Sequence, residues 1–433
     1  MSLRSGSADG SPVLECASPQ LTVNNTEKAL ASGKLLHVLG GGPWQVPTVK
    51  LAQAMGYRVL VTDMHRERPA YAIADLHEVV DITDREATLA AARRHQIDGV
   101  LCDSTDVGVP TAAYVAQSMG LPGMGLEAAL NCTDKSRLRQ CTAAVAMRYQ
   151  VIRAVDELGR ALNMVGLPAV IKPVDNQSGR GVRIVHTAAE ASLAFLRALA
   201  LSRSGRVLVE QCLTGTELIV DGFVTDGAAV LLNVGVKTPY ADNPTISSRI
   251  HYPQPDDLPM AMADLQAATQ ATIAALRLRQ GLFHAEFMLC ADRIVPLDVA
   301  ARGGGVLIYR RVIPHVSGVD VNRAMIDLAM GQRPLIAPQK DKRCANIEFL
   351  RMPAGRFDGV LNLALAAAAP DVAAIVFNVT PGDDVGALDD KDQRPGYILA
   401  LSDSSSAAIA ACERARALMR VRMQGVSQPV ALT

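Results

Sequence analysis

Aromatic residues make up only 4% of this 433-residue chain, with a single tryptophan. So sparse a set of rings disfavours a platform on which nucleic-acid bases stack. Neither sign of charge prevails: 43 Lys and Arg balance 43 Asp and Glu. No global field therefore argues for nucleic acid or for an anionic membrane surface. No apolar run approaches the length that crosses a bilayer. Residues 1–33, with their Ser, Gly, Asn and Pro, lack the apolar centre of a secretory signal and read as a flexible leader. The eight cysteines form no CxxC pair and no zinc spacing. Most sit inside apolar runs such as Val100-Leu101-Cys102, where buried free thiols in a reducing, cytoplasmic setting are expected. Two common nucleotide motifs are missing as well: there is no GxGxxG and no GxxxxGK[ST].

What is present is ordinary globular composition, 49% hydrophobic and 20% charged, on a length that suits two or three domains. Strands and helices alternate from Leu35 to about Leu126, the mark of a parallel α/β domain. Its first strand, Leu35–Leu39, ends in Gly40-Gly41-Gly42-Pro43, which reads as a turn or the lip of a small-substrate site. A helix opens at Thr133-Asp134-Lys135, where Thr or Asp can cap the first turn. A lobe of short strands follows at about 148–213, then longer strands at 216–223 and 228–236 and a helix from Ala261 to Leu278. A composition shift at Gln332–Pro338 marks a boundary. The tail alternates strands and helices, closing with an Ala-rich helix over Ser404–Met423. The expected division is 1–33 leader, 34–126 first domain, 127–335 central domain and 336–433 last domain.

The stretch Gly281–Gly305 carries the densest chemistry. Two apolar strands joined at Ala291-Asp292-Arg293 would bring Glu286 and Asp298 side by side. Two carboxylates suit Mg²⁺, which leaves its other positions to phosphates and water. Arg302 follows, with Gly303 and Gly304 free to let backbone amides approach an anion. Upstream, Lys172 ends a strand and the turn Gln177-Ser178-Gly179-Arg180-Gly181 can fold over a polyphosphate. The strand ending at Glu210 runs into Gln211-Cys212-Leu213. There a carboxylate or backbone carbonyl can accept an adenine amine while a backbone N–H donates to the ring. Glu217 could take ribose hydroxyls. His284, two residues from Glu286 on the same strand face, either orients that carboxylate or packs as a core histidine.

Order and spacing together resemble the ATP-grasp superfamily over roughly Cys132–Gly331. The matches are Lys135 in TDKSRLR, Lys172 in VIKP, the SGRG loop, the VEQCL hinge, Glu217 and the HAEF…PLDVAAR hairpin. The tail, with VTPGDDVGALDDKDQRPGYILALSDS, is similar to the last domain of amino-acid-ligase-type members. The resemblance implies three domains: a Rossmann-like parallel α/β domain, a two-lobed α+β ATP-grasp domain and a C-terminal α+β domain. It implies that Lys135 and Lys172 hold the phosphates of ATP, with the loop at Gln177, Ser178, Gly179 and Gly181 closing over them. Glu210, Cys212, Leu213 and Glu217 would hold the nucleoside, and Glu286 and Asp298 would hold Mg²⁺ or Mn²⁺. Two departures stand out: Asp298 where Glu is usual, and Ala300 where many members have Asn.

The implied reaction is activation of a carboxylate as an acyl-phosphate, with release of ADP, followed by attack of an amine. Arg302 is the expected catalytic partner of the transferring group together with Lys172. Arg249, read as a loop residue, is the expected grip on a substrate carboxylate alongside Arg302, Gly303 and Gly304, with Arg310 and Arg311 nearby. Substrates would be a small carboxylate and a small amine, amino acids among them, and a homodimer is the family's habit. Two alternatives stay open. One activates bicarbonate, as in carboxylases and carbamoyl-phosphate synthases, although the chain shows no biotin-carrier segment and no glutamine-amidotransferase domain. The other is a nucleotide-binding regulator that has lost catalysis.

Overall fold

Apolar runs early in the chain become the inner strands of a parallel sheet. The computed structural model describes residues 4–5, 12–15, 33–145, 147–177, 179–339, 343–388 and 391–433. Leu35–Leu39 is buried at every position and pairs in parallel with Arg58–Asp63 on one side and Gly99–Leu101 on the other. Leu76–Val79 completes the four strands at the outer edge of Arg58–Asp63. Helices Val46–Ala54, Arg85–His95 and Val109–Met119 connect or flank them. Proline in the first turn starts Val46–Ala54, and the Asp84 side chain caps Arg85–His95 by accepting from the Ala87 N–H. The chain order reverses between Leu35–Leu39 and Gly99–Leu101, and the crevice beyond such strand ends is where open α/β sheets hold ligands. The loops there, Gly40–Gln45 and Cys102–Asp106, are tied by Asp103, which accepts from Gln45 Nε2 at 3.0 Å and Thr48 Oγ1 at 2.5 Å.

His37 lies in the middle of this sheet, fully buried, with Nε2 2.8 Å from the Thr62 hydroxyl. Burial, helped by His95, holds its pKa down to about 3. The ring is therefore neutral in the fold and gains a proton more readily when unfolded. Its stabilising contribution is whole above 6.5, the ordinary value, and is lost as pH falls toward 3. The urea midpoint is expected to drop from neutral pH toward pH ~4, and to drop less in His37→Gln. An equal acid slope in both proteins would contradict this.

The lobe of short strands is a four-stranded antiparallel sheet, in the order Tyr149–Ile152, Val207–Gln211, Ala169–Pro173, Arg183–Val185. Leu158–Val165 and Ala188–Leu201 pack on it and give it its own core, centred on Phe195. A lobe with a separate core can move as a unit over whatever it covers.

Of the remaining strands, Asp384–Val385, Gly355–Leu361, Arg420–Met423 and Val430–Ala431 form a small sheet of their own, and the other ten form one antiparallel sheet. From one edge it runs Ile294–Ala300, Gly281–Leu289, Thr216–Thr225, Ala228–Tyr240, Asn243–Tyr252, Cys344–Phe349, Gly396–Ser402, Val372–Phe377, Pro12–Glu15 and Arg4–Ser5. Cys344–Phe349 pairs directly with Asn243–Tyr252, so the C-terminal region continues the central sheet. Within the stretch expected to be a flexible leader, Pro12–Glu15 pairs with Val372–Phe377 and Arg4–Ser5 with Pro12–Glu15. The last helix also differs from expectation. It stops at Leu418, and Arg420–Met423 is a strand. Exposed Arg420 and Arg422 alternate there with buried Val421 and Met423, a period of two that no helix accommodates.

Candidate active site

Four parts of the chain meet around a cavity of about 1090 Å³. Trp44 and Gln45 come to it from the parallel domain, Lys172 and Gly179 from the small lobe, Glu286 and Asp298 from the central sheet, and Lys391 and Arg394 from the C-terminal region. Its floor is the hairpin Gly281–Leu289 and Ile294–Ala300, in which Glu286 and Asp298 stand directly opposite each other, beside a register shift after Glu286. Lys237, from the strand Ala228–Tyr240, donates to Glu286 at 2.6 Å and also to Glu217. Lys135 lies 2.9 Å from Asp298 and donates to the Asn176 carbonyl at 2.9 Å, just before the glycine turn.

Charge balance here is local and tight. Burial alone would raise the pKa of Glu286. The Lys237 ammonium, with Lys391 and His284 behind it, outweighs burial and holds the carboxyl well below the usual carboxylate range. Burial would likewise discharge Lys237 and Lys135, but Glu217 and Glu286 in the first case and Asp298 in the second raise both above the ordinary lysine value. A second network lies behind the floor. The Glu210 carboxylate holds Lys172 at 2.7 Å and the fully buried Arg139 at 2.5 Å. Arg139 also donates to the carbonyls of Pro296 and Leu297, at 3.1 and 2.8 Å, next to Asp298. Burial works against ionised Glu210, yet Arg139 and Lys172 pull its pKa down to about 2.

Asp106 closes the ring. Arg302 Nε meets its carboxylate at 2.5 Å, and its N–H donates to Gln177 Oε1 at 3.0 Å. One residue of the parallel domain thus holds both the arginine after the hairpin and the glycine turn of the small lobe. Gly179 and Gly181 adopt φ of 72° and 74°, a left-handed backbone that glycine enters without strain.

The profile of the ATP-grasp domain matches residues 165–309, and that of the L-amino acid ligase C-terminal domain 2 matches residues 348–424. This chain carries an ATP-grasp domain. Formate-dependent phosphoribosylglycinamide formyltransferase from Synechococcus sp. (strain CC9311) is 25% identical over 416 residues, covering 90% of this chain and 98% of that protein. An uncharacterised protein, y4rH, from Sinorhizobium fredii is 27% identical over 361 residues, 80% of this chain and 73% of its own. The crystal structure of L-amino acid ligase from Bacillus licheniformis superposes with a TM-score of 0.76 at 18% identity, over 91% of this chain and 100% of that one. Phosphoribosylglycinamide synthetase from Anaerococcus prevotii gives 0.69 at 19% identity, over 90% and 100%.

Most residues expected at the nucleotide and metal site line the cavity: Lys135, Lys172, Gln177, Gly179, Glu210, Cys212, Leu213, Glu217, Glu286, Asp298 and Arg302. Ser178 lies outside the described residues. Gly181 lies behind the turn, where a Cβ would come within 2.9 Å of Leu201 and 3.2 Å of Pro173. Two contacts bear on the adenine-reading expectation. Both carboxylate oxygens of Glu210 are engaged by Arg139 and Lys172, so the side chain orients Lys172. The Cys212 N–H is taken by the Pro168 carbonyl at 3.2 Å.

Three substrate-side expectations are corrected. Arg249 sits on the strand Asn243–Tyr252, not in a loop, and bonds Glu348 at 3.1 Å and Glu413 at 3.2 Å. Strand alternation turns its neighbour Ile250 into the cavity and Arg249 away. Gly303 and Gly304 are buried and permit close packing: a Cβ would come within 2.4 Å of the Tyr309 ring and 2.7 Å of His284 Nδ1. Of the three glycines, Gly305 is the one that lines the cavity. His284 lies on the cavity face, and its Nδ1 bonds Asp221 at 2.7 Å, not Glu286.

Lys237, Asp106, Arg139 and Lys391 were missed in the sequence. A lysine inside the apolar strand Ala228–Tyr240 and an aspartate after the strand Gly99–Leu101 were the available signals. Glu286 and Asp298 fit a hard dication that shares its shell with phosphate and water: both face the cavity, and each has one oxygen held by a lysine. Among the described residues no cluster of three His, Cys, Asp or Glu could form an all-protein cage.

Proposed function

We propose that this chain is an ATP-grasp ligase that joins the carboxylate of one small molecule, an amino acid, to the amine of a second, with ATP cleaved to ADP and phosphate. The observation that carries the reading is the convergence of two opposed carboxylates with Lys135, Lys237 and Arg302 on one cavity, whose lining also includes Lys172, Cys212 and Leu213. The match of the C-terminal region to an L-amino acid ligase domain supports amino acids as the substrate class. In the first step a substrate carboxylate oxygen attacks the γ-phosphorus. An O–P bond forms, the bond to the β-phosphate oxygen breaks, and ADP leaves. In the second step the amine nitrogen attacks the acyl carbon, phosphate leaves with the C–O bond, and the surplus amine proton passes to solvent.

Such transfers need positioning and charge neutralisation more than covalent help. Lys172, aimed by Glu210, and Lys135 hold the phosphates. Arg302, aimed by Asp106, faces the transferring group. The 176–181 turn excludes water that would hydrolyse the acyl-phosphate. Mg²⁺, held by Glu286 and Asp298, would offset charge on the phosphate oxygens. The seven cysteines among the described residues are unpaired, in keeping with a reducing cytoplasm, and no described helix is long and apolar enough to cross a membrane. We also propose a homodimer.

The test is phosphate release from Mg·ATP against amino acids, singly and in pairs, with mass spectrometry of the product. Formate and bicarbonate form separate arms. Release that requires an amino acid, with an amide product, is the expected result. Release driven by bicarbonate alone would replace the reading with the carboxylating one. ATP binding without turnover on any acid or amine would favour the regulatory one.

A further inference from the structure

The cations around the acid pair are committed, with one exception. Lys135 is bound to Asp298, Lys172 to Glu210, Lys237 to Glu286 and Arg302 to Asp106. Lys391 also lines the cavity, yet among the described residues no hydrogen bond or ion pair engages its ammonium. It arrives from the C-terminal region on the short turn Lys391–Gln393. Its position is set from two sides. A Cβ on Gly179 would lie 3.0 Å from Cδ, Cε and Nζ of Lys391, so the glycine turn closes directly onto this side chain. The charges that act on it are Glu286 and Glu217, which favour its charged form, and Lys237 and Arg394, which oppose it. Lys391 thus stands between the lid turn and the acid end of the cavity, without an anion of its own among the described residues.

We propose that Lys391 is a further phosphate-binding residue of this ligase, whose ammonium takes an oxygen of the γ-phosphoryl group of ATP beneath the closed glycine turn. The inference rests on the reading above that the acid end of the cavity holds the γ-phosphate. Burial, reinforced by Lys237, lowers the lysine's pKa against the pull of the two glutamates, so an arriving phosphate oxygen supplies a counter-charge that no described residue places against it. Glycine suits this position through its φ of 72°, and a Cβ there would press on the end of the lysine that the turn covers. The C-terminal region then senses the nucleotide through one side chain, and closure of the small lobe depends on the third phosphate.

That assignment separates ATP from ADP. The full chain, with Mg²⁺, is titrated calorimetrically with β,γ-methylene-ATP and with ADP. In Lys391→Met, affinity for the triphosphate analogue is expected to fall about 10–100-fold, the worth of a charge-assisted bond, while ADP affinity changes less than about twofold. Lys391→Arg, which keeps the charge, is expected to restore most of the loss. Equal weakening of both nucleotides would make Lys391 a structural latch, and no weakening of either would make it a bystander; both overturn the proposal. Failure of the unaltered chain to bind either nucleotide would overturn the reading of the site itself, and this inference with it.

Discussion

Replacing Glu286 by Gln is expected to lower substrate-dependent ADP formation roughly 10²–10³-fold, while the protein stays folded. Gln keeps the shape of the side chain and removes the charge that both Lys237 and a bound dication use. Lys237 keeps Glu217 as a partner, so the stability cost should stay near about 1 kcal/mol. Steady-state ADP release and a thermal scan on the same preparation separate the two effects. Activity within about tenfold of the original, with the fold intact, would show that the transferring group is not held at this hairpin.

The second large effect concerns stability. Glu210→Leu removes one anion and leaves two buried cations, Lys172 and Arg139, facing each other across the space. Breaking a buried ion network in this way costs about 3–5 kcal/mol. The loss should appear first in the small lobe, because Lys172 and Glu210 sit on adjacent strands of its sheet, Ala169–Pro173 and Val207–Gln211. Limited proteolysis should therefore cut within about 148–213 before the rest of the chain yields. The same group predicts an acid limb. With its pKa held down to about 2 against an ordinary 4.5, Glu210 stabilises fully above 4.5. The contribution disappears as pH falls toward 2, and Glu210→Leu should lack that part of the decline. A stability change below about 1 kcal/mol would mean that the three side chains are not a closed network.

Features written in local spacing were legible in the sequence. Twelve residues across a short turn sufficed to set Glu286 opposite Asp298, because register in a tight hairpin is fixed by the turn and by alternation of buried faces. The parallel domain was legible for the same reason, its strands and helices alternating from Leu35 onward as expected. Partners set by tertiary approach were not. Lys237 reaches Glu286 only because two strands far apart in sequence flank Thr216–Thr225. Asp106 meets Arg302 across 196 positions. Arg249 looked like a loop residue because Asn243-Pro244 and Ser247-Ser248 resemble turn chemistry, yet pairing on both sides makes that stretch a central strand. Gly303 and Gly304 show the converse: a glycine run suggests an anion cradle, while here two of the three glycines make room for Tyr309 and His284.

The acyl-phosphate step can be tested by following oxygen. The chain is supplied with Mg·ATP, an amine and a substrate acid carrying ¹⁸O in its carboxylate, and the released phosphate is analysed by mass spectrometry. Attack of that carboxylate on the γ-phosphorus predicts one ¹⁸O in each phosphate released with product. Unlabelled phosphate, at full conversion to the amide, would contradict the mechanism.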